Sequence, residues 1–270
     1  MSLLLCAAVP CPPAAAWTTR LMESMARDAR RLLPRSLAQL LAEREKQVLE
    51  EAWRFPPSLS QSLAGDLASG RLREETIRAA DAQAAEVVEL FRNRQVSEGV
   101  VRLGALLRVP ADVSDPVLSA GTDGYPAGVT REYYAFVEGS LEKIPVVLDD
   151  AGALRLDRRA LGAYWQRLLD RSRTDSPVIR IELFRGGRVV DHRTLDYRSP
   201  VFGVGSLAYS RGVTAIAATW LAVWREVRGD ATRMPVPKEV TPAGGGPPGV
   251  EPSRRPPPGS GSRTVMEERP

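Results

Sequence analysis

The stretch VGSLAYSRGVTAIAATWLAVWREV, Val204 to Val227, decides the fold class. Its apolar residues do not keep to one stripe: Val213, Ile216, Ala217, Trp220, Leu221 and Trp224 spread round most of a helical turn. A helix that is apolar on most sides has no face to give to water, so other helices have to surround it. The sequence therefore predicts a mainly α, single multi-helix domain built round this segment.

The segments upstream supply the surround. Leu21, Met22, Met25, Ala29 and Leu32-Leu33 recur every three or four residues, and Pro34 closes that helix. Ser36 can cap a second helix through Leu37, Leu40-Leu41, Val48 and Leu49 to about Trp53. Phe55-Pro56-Pro57 and the polar run Ser58–Ser69 read as a loop. Ile77, Ala80, Ala84, Val87-Val88 and Phe91 line a third helix. Ser97-Glu98 opens a fourth through Val101, Leu103 and Leu106-Leu107. Residues 109–129, with Pro110, Pro116, Gly121, Gly124, Pro126 and Gly128, read as turns. A fifth helix starts near Thr130 and carries Tyr133, Tyr134, Phe136, Val137 and Leu141, and Leu156 to about Leu169 reads as a sixth. Ile179, Ile181 and Leu183 then alternate with Arg180 and Glu182, and Gly186-Gly187 precedes Val189-Val190. That pattern predicts one small β-hairpin.

Both ends differ from the middle. From about Gly229 the chain turns to Pro and Gly, including Gly244-Gly245-Gly246-Pro247-Pro248 and Pro256-Pro257-Pro258, so residues 231–270 are expected to be a disordered tail. Residues 1–16 read as a signal peptide that lacks its basic front end. Leu3-Leu4-Leu5 begins the apolar core, and Ala14-Ala15-Ala16 supplies the small residues before a cut. Cleavage there would leave a domain of residues 17–230, secreted or periplasmic, beginning at Trp17. An uncleaved N-terminus would point to an intracellular helical scaffold instead. Cys6 and Cys11 both lie in the leader, so the mature chain would have no thiol for a disulfide, a metal or a nucleophile. No other run is read as an integral membrane segment of about 20 apolar residues.

Composition narrows function by exclusion. Of the 270 residues 26% are charged, the net charge is +4, and both signs alternate along the helical stretches. That mixture builds no basic stripe, so nucleic acid is not an expected partner. The glycines Gly203, Gly205 and Gly212 come without the lysine of a phosphate-binding loop and read as a helix entry. A base paired with an orienting carboxylate could be imagined at His192 and Asp191. Neighbours on a strand point to opposite faces, so a solvated hairpin histidine is the reading adopted.

Three segments carry a resemblance. Trp17, after its run of alanines, is followed by a helix ending Leu32-Leu33-Pro34. Leu103-Gly104 leads through Arg108, Asp112 and Pro116 to Leu118. Tyr134 stands four residues before Glu138. Together these resemble the zinc-dependent phospholipase C and single-strand nuclease superfamily, over residues 17 to about 145 and less closely 204–228. In that family the N-terminal Trp binds zinc through its amine and carbonyl. A central motif runs His, three residues, Asp, five residues, His, with Pro two before the last His, and a third motif runs His, three residues, Glu or Asp. This chain keeps the Gly, the Asp and the Pro, but Arg108 and Leu118 stand where the central histidines belong, and Tyr134 begins the third motif. Arg20 occupies the neighbourhood of an early family histidine.

The resemblance implies a vestigial site of Trp17, Arg20, Arg108, Asp112, Leu118, Tyr134 and Glu138, with no catalytic residue, no bound metal and no cofactor. A zinc cluster needs about four ligands per ion, and this chain has one histidine, His192. A guanidinium stays protonated and cannot ligate a metal. A secreted, non-catalytic binding or structural domain is therefore expected. A phosphoester hydrolase with a reduced, oxygen-ligand metal site of the Trp17 terminus, Asp112 and Glu138 is the alternative. Loss of the metal would strand two carboxylates, and Arg108, with Arg20, could replace the missing charge, so Arg108, Asp112 and Glu138 are expected to converge near Trp17.

Overall fold

A computed structural model describes residues 17–121 and 124–230, and the expected leader over 1–16 and tail over 231–270 lie outside the described residues. The last helix, Pro200–Glu226 (α10), runs through the core and is buried without a break from Ala208 to Val223. Ser199 caps it by accepting from the Phe202 N–H at 3.3 Å, and Pro200 takes the first helical position, where no N–H is needed. By length and composition alone this helix could cross a membrane, yet 72% of its most apolar window is buried within the protein. Two of its large polar side chains are tied inside: the Trp220 indole donates to the Leu103 carbonyl at 3.0 Å, and buried Arg211 pairs with Asp175.

The helices Thr19–Arg30 (α1), Glu74–Arg92 (α5), Arg108–Val113 (α7), Val129–Gly139 (α8) and Leu161–Leu183 (α9) all pack on α10. Burying Leu21, Met22, Met25 and Ala29 of α1 on that axis removes apolar surface worth about 2 kcal/mol for each large side chain. Gly212 matters at this contact: a Cβ there would lie 2.8 Å from Ser114 Oγ and 2.9 Å from Met25 Sδ.

Several local expectations need correction. The second predicted helix is two, Arg35–Glu43 (α2) and Glu45–Ala52 (α3), parted at Arg44. The expected loop at Ser58–Ser69 is a helix, Pro57–Ser69 (α4), started by Pro57 and ended by Gly70 at φ 78°. Its serines masked Leu59, Leu63 and Leu67, which bury one face at four-residue spacing. The fourth predicted helix changes pitch, from Val96–Arg102 (α6) through a 3-10 run Leu103–Leu107 into α7. Pro110 therefore sits in the first turn of α7, not in a turn region. Gly104 lets this run close on α3, because a Cβ on it would lie 2.0 Å from the Val48 carbonyl oxygen; backbone meets backbone there.

The expected strand at Ile179–Leu183 is the end of α9, which starts at Leu161 instead of Leu156. Ile179 and Leu183 are buried one turn apart while Ile181 is 65% exposed, so the alternation was half of a helical period. A hairpin does follow, but only as Phe184–Arg185 (β1) and Arg188–Val189 (β2), antiparallel with Phe184 opposite Val189. Gly186 and Gly187 make its turn at φ 56° and 76°, the left-handed region that a two-residue hairpin loop requires. His192 lies beyond the strands, in a 3-10 turn His192–Thr194.

Candidate functional site

Trp17 is buried against the junction of α7 and α8. Its indole N–H donates to the Ala111 carbonyl at 3.0 Å, and its ring lies 5.9 Å from Tyr134 and 6.3 Å from Tyr133, centre to centre. Such a contact between distant segments fixes the entry of α1, which Thr18 caps by accepting from the Leu21 N–H at 3.3 Å.

Below this aromatic group lie two buried carboxylates. Asp112 meets the Arg108 guanidinium through Oδ2, at 3.3 Å from Nε and 3.2 Å from Nη2. Its Oδ1 has no hydrogen-bond partner among the described residues. Asp115 sits in the next turn, where Oδ1 accepts from the Val117 N–H at 2.8 Å, an Asx turn whose middle position Pro116 fills. Its Oδ2 accepts from the Tyr134 hydroxyl at 2.7 Å. Burial pushes the Asp112 carboxyl up to about 6 against the opposing pull of Arg108. Burial likewise pushes Asp115 up to about 7, although Tyr134 and the Val117 N–H favour its charged form. The Tyr134 hydroxyl is held well above its usual range by burial and by Asp115.

Glu138 belongs to a different, more open place. Its Oε2 accepts from the Thr18 hydroxyl at 2.5 Å, and its Oε1 lies 3.7 Å from the Arg20 guanidinium. A groove of about 490 Å³ opens there, lined by Thr18, Arg20, Arg131, Tyr134, Ala135 and Glu138, with Gly139 at its end. Tyr134 is thus shared: its ring lines the groove and its hydroxyl reaches Asp115.

Of the residues expected to form one site, Trp17, Asp112 and Tyr134 gather at the α7–α8 junction. The expectation of a single arginine between two carboxylates is corrected. Arg108 serves Asp112 and stacks over Trp53 and Phe55 at 5.5 and 5.7 Å, while Glu138 has Thr18 and Arg20. Helix geometry causes the split, since Arg108 and Asp112 are one turn apart on α7 and face each other without reaching across. Leu118 is a half-buried packing residue on the core. Tyr133, Tyr134 and Phe136 stood out from sequence as aromatics beside the 109–129 segment, whereas Asp115 was given no role, although the Asp115-Pro116 pair is a turn signal that could have flagged it.

The donors present do not fit a zinc cluster. Where the resemblance would expect histidines stand Arg108, Leu118 and Tyr134: the first two offer no lone pair to a cation, and the Tyr134 hydroxyl is a protonated phenol donating to Asp115. Comparison with family models, with curated proteins and with solved structures finds no match.

Proposed function

We propose that this chain is a non-catalytic helical domain, related in framework to the phospholipase C and single-strand nuclease superfamily, that serves as a secreted or periplasmic binding or structural module. One observation carries the reading: protein groups already occupy the carboxylates that the resemblance assigns to metal. Asp112 is ion-paired with Arg108, and Glu138 is held by Thr18 and Arg20. A metal entering either place would have to displace a cation or a hydrogen bond, and it would find no imidazole in return. The groove beside Tyr134, with Arg20 and Arg131 on its rim, is the surface offered for binding.

The unpartnered Asp112 Oδ1 favours a second reading, a phosphoester hydrolase with an oxygen-ligand metal site. Metal analysis with a phosphodiesterase assay separates the two. The non-catalytic reading expects turnover at background, unchanged in Asp112→Asn. Phosphodiesterase turnover that depends on an added divalent cation and disappears in Asp112→Asn would overturn it.

A further inference from the structure

The one histidine of the chain does not float free in solvent. His192 Nδ1 lies 2.7 Å from Glu132 Oε2 in the first turn of α8 and 3.5 Å from Asp191 Oδ1 beside it. Glu132 is aimed by two further contacts. Arg131 holds its Oε1 at 2.9 and 3.1 Å, and the His192 backbone N–H donates to its Oε2 at 3.2 Å. Asp191 is fixed as well, because its Oδ1 caps the 3-10 turn by accepting from the Arg193 N–H at 2.9 Å. The turn alters the geometry expected of a strand: neighbours 191 and 192 now present their side chains to the same point.

We propose that His192 Nδ1, Glu132 Oε2 and Asp191 Oδ1 form a mononuclear site for a borderline divalent cation, with zinc the ion that suits the donor set. Three observations bear on it. The three donor atoms lie within 4.8 Å of one another. Two ligands bonded to zinc at about 2.0–2.2 Å stand roughly 3.0–3.5 Å apart; the separations of 2.7 and 3.5 Å from His192 Nδ1 bracket that range, and rotation of the two carboxylates, already within 4.8 Å of each other, closes the third side. Two carboxylates and a neutral imidazole also cancel a divalent charge, and partial exposure of His192 and Asp191, at 28% and 56%, leaves room for water to complete four ligands. On binding, the Nδ1 lone pair turns to the cation. A neutral imidazole then carries its proton on Nε2, and an imidazolium releases one proton. The cation would pin the turn after the hairpin to the N-terminus of α8. This site shares no residue with the Asp112–Glu138 region, so the non-catalytic reading does not depend on it.

A single histidine makes the test direct, because every imidazole signal in the untagged full chain comes from His192. Titration with zinc chloride, followed by proton NMR and calorimetry, should move those signals and saturate at one ion per chain. His192→Ala should weaken binding about 100-fold and Glu132→Gln about 10-fold. The zinc-dependent rise in melting temperature should vanish with His192→Ala. Imidazole signals unmoved by excess zinc would overturn the proposal without any variant. So would zinc affinity unchanged in His192→Ala, including the case in which Asp112→Asn removes it.

Discussion

Asp115 and Glu132 are both tied to α8 or its partner groups, yet their acidities move in opposite directions. Asp115 accepts two hydrogen bonds from neutral donors in a dry interior and is pushed up to about 7. Glu132 is held down to about 2 by the His192 ring first, then by the His192 backbone and Arg131. It also stands in the first turn of α8, where the helix dipole favours a negative charge. Hydrogen bonds alone therefore do not decide the charge of a carboxylate in this fold. A cationic or ionisable partner near solvent holds the proton off, whereas neutral donors in the interior leave desolvation the larger effect.

The sharpest way to break the comparison is at Arg108, the cation that meets the buried group. With 18% of the Arg108 side chain exposed and 4% of Asp112, the pair is mostly out of water. Arg108→Ala should leave a buried carboxylate unpaired and lower the unfolding free energy by about 3 kcal/mol in urea titrations. A loss under about 1 kcal/mol would place this pair with ordinary surface pairs.

Asp115→Asn tests the buried side by pH. Because the folded chain holds protons on Asp112 and Asp115 that the unfolded chain releases, stability should fall as pH rises from about 4 to about 7 and level off above. Asparagine keeps the shape, accepts from the Val117 N–H through its one oxygen, donates from its NH2 to the Tyr134 hydroxyl in a reversed bond, and never ionises. Denaturant melts at pH 8 should show a gain of about 2 kcal/mol and a flatter slope across that window. A slope unchanged by the substitution would mean that Asp115 is ionised at little cost.

Glu132→Gln should act with the opposite sign. Its carboxyl titrates below the usual range, so its contribution is complete above about pH 4.5 and is lost as pH falls through about 2. At pH 7 the substitution should cost about 1 kcal/mol, and at pH 2 almost nothing, by the same melts. Equal costs at both values would show that the His192 contact is one of packing instead of charge.

Sequence patterns told most where burial followed a simple period. The apolar circumference of Val204–Val227 foretold the core helix, and Leu21 to Leu33 foretold α1 lying on it. They misled where polar side chains or β-branched runs hid the period, as at Ser58–Ser69 and Ile179–Leu183. At the candidate site, Trp17 was expected near Asp112 and Tyr134, and its ring lies 5.9 Å from Tyr134 while its indole reaches the carbonyl of Ala111, the neighbour of Asp112. The Arg108–Asp112 pair was legible in its four-residue spacing, but that Glu138 meets Arg20 and Thr18 instead of Arg108 was not, because it depends on where the ends of α1, α7 and α8 stand in space. The Glu132–His192 contact joins residues far apart in sequence, and no local spacing announces it.

The smallest effect is expected at Arg20, and it separates a charge that matters to Glu138 from one that merely lies near it. Arg20 is 67% exposed and stands 3.7 Å from Glu138, beyond a good hydrogen bond. Glu138 keeps its Thr18 contact at 2.5 Å and retains access to water, with 28% of its side chain exposed. Its place in the last turn of α8 sets it against the helix dipole, so a neutral donor that also anchors α1 is the more useful partner. Thr18→Ala should then cost about 1 kcal/mol, through loss of a cap and of this hydrogen bond. Arg20→Ala should cost under about 0.5 kcal/mol, less still at high salt, in the same urea titrations. An Arg20→Ala loss matching that of Arg108→Ala would show that the rim pair is as dry as the buried one, and the contrast between the two carboxylate environments would fail at this end of α8.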